Sequence, residues 1–252
     1  MKTLSFPVLA LMAAFFVSGC QQNPGGSDAE VGAAQDVDQI SAQAVNYPLD
    51  ASASELTWYG FKPTGRHNGT IGIQDGTLAV ENGTLVGGSF TMDLNAIEVL
   101  DLEGEDKEKL TGHLKSPDFF AVEEYPTAQF EITDVQPYAE AAMEADTSRL
   151  DVVVNDEEVD EYSIDNPTHA ITGNLTMRDT TLSIVFPAKV SITDDQIEAE
   201  AKFNIDRTHW NVSYGDENDM EARAKDQFIY NTVNVGFDIK ANKEAEATAD
   251  AS

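Results

Sequence analysis

The chain has 252 residues, 41% of them apolar and 24% charged, with 45 acidic side chains against 15 basic ones and a formal net charge of −30. That apolar content supports a globular core and excludes wholesale disorder, and the length suits one large β domain or two small domains. The charge excludes a nucleic-acid surface, which needs Lys and Arg facing phosphates, and a single cysteine, Cys20, excludes an intramolecular disulfide.

In chain order, residues 1–20 read MKTLSFPVLALMAAFFVSGC. Lys2 precedes an uncharged apolar run from Leu4 to Val17. The run is shorter than the about 20 residues of a membrane-spanning helix and fits the apolar core of a secretory signal. Val17-Ser18-Gly19-Cys20 resembles the bacterial lipobox. That resemblance implies a lipoprotein signal peptide over 1–19, cleavage before Cys20, and lipidation of Cys20 with palmitate-type chains. Several acyl chains anchor a protein stably where one binds only marginally. The expected location is therefore a bacterial cell envelope, lipid-anchored and facing the periplasm or the exterior. Residues 20–44 are rich in Gly, Ala, Gln and Asp and lack aromatic residues, which reads as a flexible acidic tether.

From residue 45 the chain alternates apolar and polar side chains. Strands are expected at Leu56–Phe61, Thr70–Ile73, Thr77–Val80 and Leu85–Leu94, with turns at Gln74-Asp75-Gly76 and Glu81-Asn82-Gly83. Glu103–Leu114 reads as a helix. Ala128, Phe130 and Ile132 then alternate with Gln129, Glu131 and Thr133. The stretch 137–168 holds ten acidic residues and one Arg and reads as a surface loop or hairpin, with a cation site as the functional alternative. Ile171, Gly173, Leu175 and Met177 share the next strand face, and a turn at Arg178-Asp179 leads into Leu182–Ile192. A turn at Asp194-Asp195 precedes Ile197, Ala199, Ala201, Phe203 and Ile205. A second short helix is expected over Glu217–Lys225, and Val233, Val235, Phe237 and Ile239 close the pattern. Residues 242–252 read as a disordered tail, which leaves 45–241 as the folded domain.

Period-two alternation is the mark of half-buried antiparallel strands, so the fold class is all-β. About eight strands must hide their edges, which a closed barrel does best, with a β-sandwich as the alternative. The distinction bears on function, because a barrel of about eight strands is wide enough to enclose one small ligand.

Three segments carry a family likeness. GHLKSPDFFAVEEYPTAQFEIT (112–133), ITGNLTMRDTT (171–181) and FNIDRTHWNVSYG (203–215) resemble, in that order, the signature segments of the YceI-like family. KPTGRHNGTIGI (62–73) is similar to the variety found in its lipoprotein members. Asp179 departs from the Gly preferred there, and 137–168 is longer than the family pattern. The resemblance implies a lipocalin-like antiparallel barrel of about eight strands with one or two short helices. It also implies a ligand rather than a cofactor: a polyprenyl or quinone-type isoprenoid, or a similar long-chain amphiphile, held in the lumen. Partners would then be a long-chain lipid and, through the lipid anchor, the membrane. A homodimer is a further state known in the family, and no interface is legible here.

A lumen for such a chain is apolar along its length, with a few polar groups at one end. The inward candidates are Trp58, Phe90, Met92, Phe119, Phe120, Phe130, Met177, Phe186, Phe203, Trp210 and Phe237, and the alternative is that they pack only on one another. Arg178, Arg207 and His113 are basic residues inside the motifs and are candidates for a head group, since an Arg can clamp a phosphate bidentately. For Arg207 a structural ion pair is the alternative, and for His113 a surface or capping role.

Catalytic signatures do not emerge. There is no G-x-S-x-G elbow and no H-E-x-x-H, and His67, His113, His169 and His209 have no ligand-like spacing. Glu158 and Asp160 begin a glycosidase-like E-x-D-x-x-E pattern that ends in Ser163, without the acid/base carboxylate. A non-enzymatic binder is expected, and a filled-barrel structural or stress-response lipoprotein is the rival. The excess of acid repels itself, and salt screens it, from a Debye length of about 8 Å in saline to about 3 Å at 1 M. That points to a salt-loving bacterium.

Overall fold

The computed structural model describes residues 25–138, 161–225 and 227–243. The signal sequence, Cys20, most of the acidic stretch (139–160, with Glu158 and Asp160) and the tail from 244 lie outside the described residues.

The alternating segments become ten strands: β1 (Glu30–Ala33), β2 (Val45–Pro48), β3 (Glu55–Lys62), β4 (Gly65–Glu81), β5 (Thr84–Val99), β6 (Thr127–Pro137), β7 (His169–Met177), β8 (Thr180–Ile192), β9 (Gln196–Asp206) and β10 (Thr232–Asn242). Neighbours in sequence pair antiparallel from β3 to β10, and β10 returns to pair with β3, so eight strands close a barrel. The barrel therefore replaces the sandwich that periodicity alone left open. Val235 lies opposite both Trp58 on β3 and Phe203 on β9, and Phe90 lies opposite Phe130.

One end of the barrel carries two long connections. There β5 passes into α1 (Gly104–Lys115) and the loop 116–126 before β6. There too β9 ends in a 3-10 turn (Arg207–Trp210), followed by α2 (Met220–Ala224) before β10. Together these segments cap the barrel. α2 is shorter than the expected Glu217–Lys225 helix; Asp219 begins it by accepting the Glu221 N–H at 2.8 Å.

The tight turns follow their residues. Asn82 (φ 53°) and Gly83 (φ 80°) both take left-handed backbone between β4 and β5, the conformation a two-residue hairpin demands. Arg178 takes φ 54° between β7 and β8, where Asp179 replaces the expected glycine. The Gln74-Asp75-Gly76 turn does not form. β4 runs through it with an irregularity between Ile73 and Asp75. Gly76 is there because a Cβ would meet the Phe90 Cβ at 2.7 Å; the glycine marks a close approach of strands.

The described part of the expected tether, residues 25–44, is not free of the barrel. β8 and β9 pair with each other only over Ala188–Ile192 and Ile197–Ala201. Beyond that they part, and the N-terminal segment fills the gap. β1 pairs with Leu182–Val185 of β8, and Asp28 forms a bridge to Asn204 of β9. Two outward-facing, buried asparagines fasten it. Asn174 Nδ2 donates to the Gln35 carbonyl at 2.8 Å while its Oδ1 accepts the Gln35 N–H at 2.9 Å, and Asn204 Nδ2 donates to the Gly25 carbonyl at 3.1 Å. Unpaired strand edges and buried amides need partners, and this segment supplies both.

Candidate functional site

The barrel interior divides at the level of five phenylalanines. Phe186 stacks on Phe203 with centroids 4.2 Å apart, Phe90 meets Phe237 edge-on at 5.2 Å, and Phe130 lies 5.4 Å from Phe90 and 5.5 Å from Phe186. Offset and edge-on pairs at these separations are attractive beyond their buried area. The sequence makes room for the layer with glycine: a Cβ on Gly173 would meet the Phe130 ring at 2.3 Å.

On the capped side of this layer lies a chamber of about 130 Å³. Trp58, Met92, Phe119, Phe120, Met177, Phe203 and Phe237 line it, joined by aliphatic side chains such as Leu56, Ile71, Leu94 and Ile205. On the far side lies a smaller space of about 50 Å³, bounded by Phe90, Phe130, Phe186 and again Phe237. Of the expected lumen residues, Trp210 borders neither space. It is fully buried, and its Nε1 donates to the Leu175 carbonyl at 3.0 Å, which pins the 3-10 turn over the strand ends. The alternation of the sequence assigns the inward face correctly but does not single out Leu114, Val212 and Ile229, which close the chamber from the cap; they sit in a helix or loop with no period-two signal.

The three basic candidates surround the cap, each tied to it. Arg207 lines the chamber and is 4% exposed. Its guanidinium donates to the carbonyls of Val212 (2.5 Å), Ile229 (3.1 Å) and Tyr230 (3.2 Å) and to Asn231 Oδ1 (3.5 Å). Burial lowers its pKa from the ordinary guanidinium value, and Asp216, Asp206 and Glu217 pull it back up. It thus folds the 207–231 connection around itself, and among the described residues no carboxylate pairs with it directly. Arg178 Nη1 donates to the Phe119 carbonyl (3.0 Å) and the Asn211 carbonyl (2.6 Å), stitching the 116–126 loop to the segment after the 3-10 turn. His113 Nε2 lies 3.1 Å from Asp118 Oδ2, and its ring meets Phe119 and Tyr214 edge-on at 4.9 and 4.6 Å. Of the three, only Arg207 borders the chamber.

Two polar atoms stand apart. Trp58 Nε1 and Thr111 Oγ1 are buried and have no hydrogen-bond partner among the described residues. Gly69 lies flat against the same indole, where a Cβ would meet the ring at 2.7 Å. Among the described residues no group of three or more His, Cys, Asp or Glu side chains is arranged to hold a metal ion.

This architecture has known counterparts. The crystal structure of BcnA from Burkholderia cenocepacia matches over 77% of this chain and 99% of its own, with TM-score 0.54 and 15% identity. A polyisoprenoid binding domain from Saccharophagus degradans, described as implicated in plant cell wall breakdown, matches over 79% of this chain and 99% of its own, with TM-score 0.51 and 16% identity. At these identities the likeness is one of fold. Among curated proteins no relative matches the chain. The family model of the YceI-like domain matches residues 47–241, the span from β2 to the end of the barrel, and the chain belongs to the YceI-like family.

Proposed function

We propose that this protein is a lipid-binding member of its family, a non-enzymatic carrier that takes up a long-chain isoprenoid or similar amphiphile from a membrane and holds it inside the barrel. One observation carries the reading: a closed barrel encloses a chamber whose lining is almost wholly apolar, beneath a cap fastened by hydrogen bonds. Burying apolar ligand surface there is worth roughly 25 cal/mol per Å² against water. The polyisoprenoid binding described for the Saccharophagus degradans domain of like fold supports the same class of ligand. Acylation at Cys20 would hold the protein at an envelope membrane, where such a lipid is found.

A second reading has its own observation. The five-ring layer splits the interior, and about 130 Å³ is smaller than the roughly 300–1,000 Å³ of ordinary ligand pockets. A barrel of that kind serves as a filled scaffold, a structural or stress-response lipoprotein. Organic extraction of the purified full chain, followed by mass spectrometry, separates the two. One long-chain lipid per chain supports the carrier, and a lipid-free extract from protein offered prenyl lipids supports the scaffold. Phe203→Asp places a charge on the chamber wall and abolishes uptake, whereas Glu131→Ala, on the exposed face of β6, leaves it unchanged. Equal uptake by both variants refutes the lumen as the binding site.

A further inference from the structure

The barrel wall is not equally strong all round. β9 and β10 pair along the whole of β9, whereas β8 and β9 pair only over Ala188–Ile192 and Ile197–Ala201, at the end away from the cap. Toward the cap, residues 25–35 complete the wall. On one side β1 pairs antiparallel with Leu182–Val185. On the other, the Ala29 N–H donates to the Asn204 carbonyl at 2.9 Å, and the Asn204 N–H donates to the Ser27 carbonyl at 2.8 Å. This inserted stave stands beside the chamber. Phe203 and Ile205, the neighbours of Asn204 along β9, line the chamber. Leu182 lies opposite Ala33 of the stave and, across β7, opposite the lining residue Leu175. Ala29 and Val31 of the stave pack against the core.

The stave is weakly built. Its strand reads Glu-Val-Gly-Ala, and Glu30, Gly32 and Ala33 are exposed. Gly and Ala are poor strand formers with little side chain to bury. Its side-chain fastenings, Asn174 and Asn204, lie on the outer face of the barrel, where water replaces their bonds once the segment leaves. Segments with few buried apolar contacts and exposed backbone hydrogen bonds are the first to open locally. The cap is the opposite case. Lifting it strips the buried Arg207 guanidinium of its carbonyls, and an uncompensated buried charge is costly. Withdrawing one strand from between two others leaves an opening two strand spacings wide, about 9.5 Å. A hydrocarbon chain, whose carbons pack at about 4 Å, passes through it. We propose that the seam between β8 and β9 is the entrance to the barrel and that residues 25–35 are its door: the segment swings out, a long-chain lipid slides sideways from a membrane into the chamber, and the segment pairs again behind it. The proposal rests on the carrier reading and adds the route to it.

The test times the uptake of geranylgeraniol, a neutral isoprenoid alcohol, from phosphatidylcholine vesicles. The full chain carries Cys20→Ser throughout, so that introduced cysteines are the only thiols. Glu30 and Val185 lie opposite each other in the β1–β8 pairing, within reach of a disulfide, so E30C with V185C fastens the door until dithiothreitol opens it. Protein is separated from the vesicles at intervals and its lipid is measured by mass spectrometry. The oxidised pair is expected to load more slowly than the same protein reduced, by about tenfold or more. Both should hold the same amount at equilibrium, because the lock acts on passage and not on the chamber. Asn174→Ala, which releases both bonds to Gln35, is expected to load about tenfold faster than its parent with the final amount unchanged. Oxidised and reduced protein loading at one rate overturns the door while the carrier reading stands. A lower final amount in the oxidised protein places the effect in the chamber and overturns the door as well. No lipid held at equilibrium by either the reduced pair or its parent overturns the carrier reading, and the door with it.

Discussion

Phe237→Ala tests the division of the interior most directly. The ring belongs to both spaces and touches the whole layer, with centroids 5.2 Å from Phe90, 5.8 Å from Phe203, 6.2 Å from Phe186 and 6.5 Å from Phe130. Deleting a buried Phe to Ala costs about 3–5 kcal/mol, the lost transfer energy plus the cavity left behind. For a domain near 200 residues, 1 kcal/mol corresponds to about 2–4 °C, so the midpoint of thermal unfolding falls by about 10 °C. The same deletion joins the two spaces into one tunnel. A ladder of prenyl quinones of increasing tail length, offered to both proteins and read by mass spectrometry, should then show longer tails retained by the variant. Calorimetry supplies the first readout and the ladder the second. A midpoint within about 2 °C of wild type refutes the packing assigned to this ring. A large loss of stability with an unchanged tail preference refutes the layer as the barrier between the spaces.

Three further outcomes are expected. Gly173→Ala drives a methyl into the Phe130 ring and lowers stability by about 1–3 kcal/mol in denaturant titration; a neutral result contradicts the close approach at that strand. Asp216 is held below its ordinary pKa, first by the Asn218 N–H and then by the Asn231 side chain. A depressed carboxylate contributes stability above its unfolded value and loses it as pH falls through the folded one. The stability advantage of wild type over Asp216→Asn should therefore be full at neutral pH and vanish in strong acid, and an advantage independent of pH would contradict the charged role. Unfolding midpoints should rise across an NaCl series as salt screens the excess of negative charge, and a flat series would count against charge repulsion as a destabilising force.

Much of the barrel is legible in the sequence because its signal is local. Alternation along β7 and β9 assigns their faces, and Asn82-Gly83 announces its hairpin. What escaped is non-local. Gly76 looks like a turn residue, yet its purpose is set by Phe90 on the neighbouring strand. Residues 25–44 have the composition of a linker, yet their order comes from Asn174 and Asn204, far along the chain. Alternation likewise finds the inward aromatics but not their height in the barrel, so it cannot tell the rings that seal the middle from those that line the chamber. Arg207 reads in the sequence as a head-group candidate or one half of a structural ion pair; that the carbonyls of Val212, Ile229 and Tyr230 fold back onto it is set by a connection distant in the chain. The buried Trp58 Nε1, without a hydrogen-bond partner among the described residues, has no sequence signature at all, since it consists of a missing neighbour.

The docked N-terminal segment also sets how the molecule would stand on a bilayer. Four residues lie between Cys20 and Gly25, and the Gly25 carbonyl is gripped by Asn204 of the barrel wall. Fully stretched, the five steps from Cys20 to Gly25 reach about 18 Å. With Cys20 acylated, as proposed, the protein would be moored on a short line rather than a long one. The flank where β8 and β9 diverge would be kept low over the headgroups, and exchange of an oily passenger would take place within one small protein radius of the leaflet.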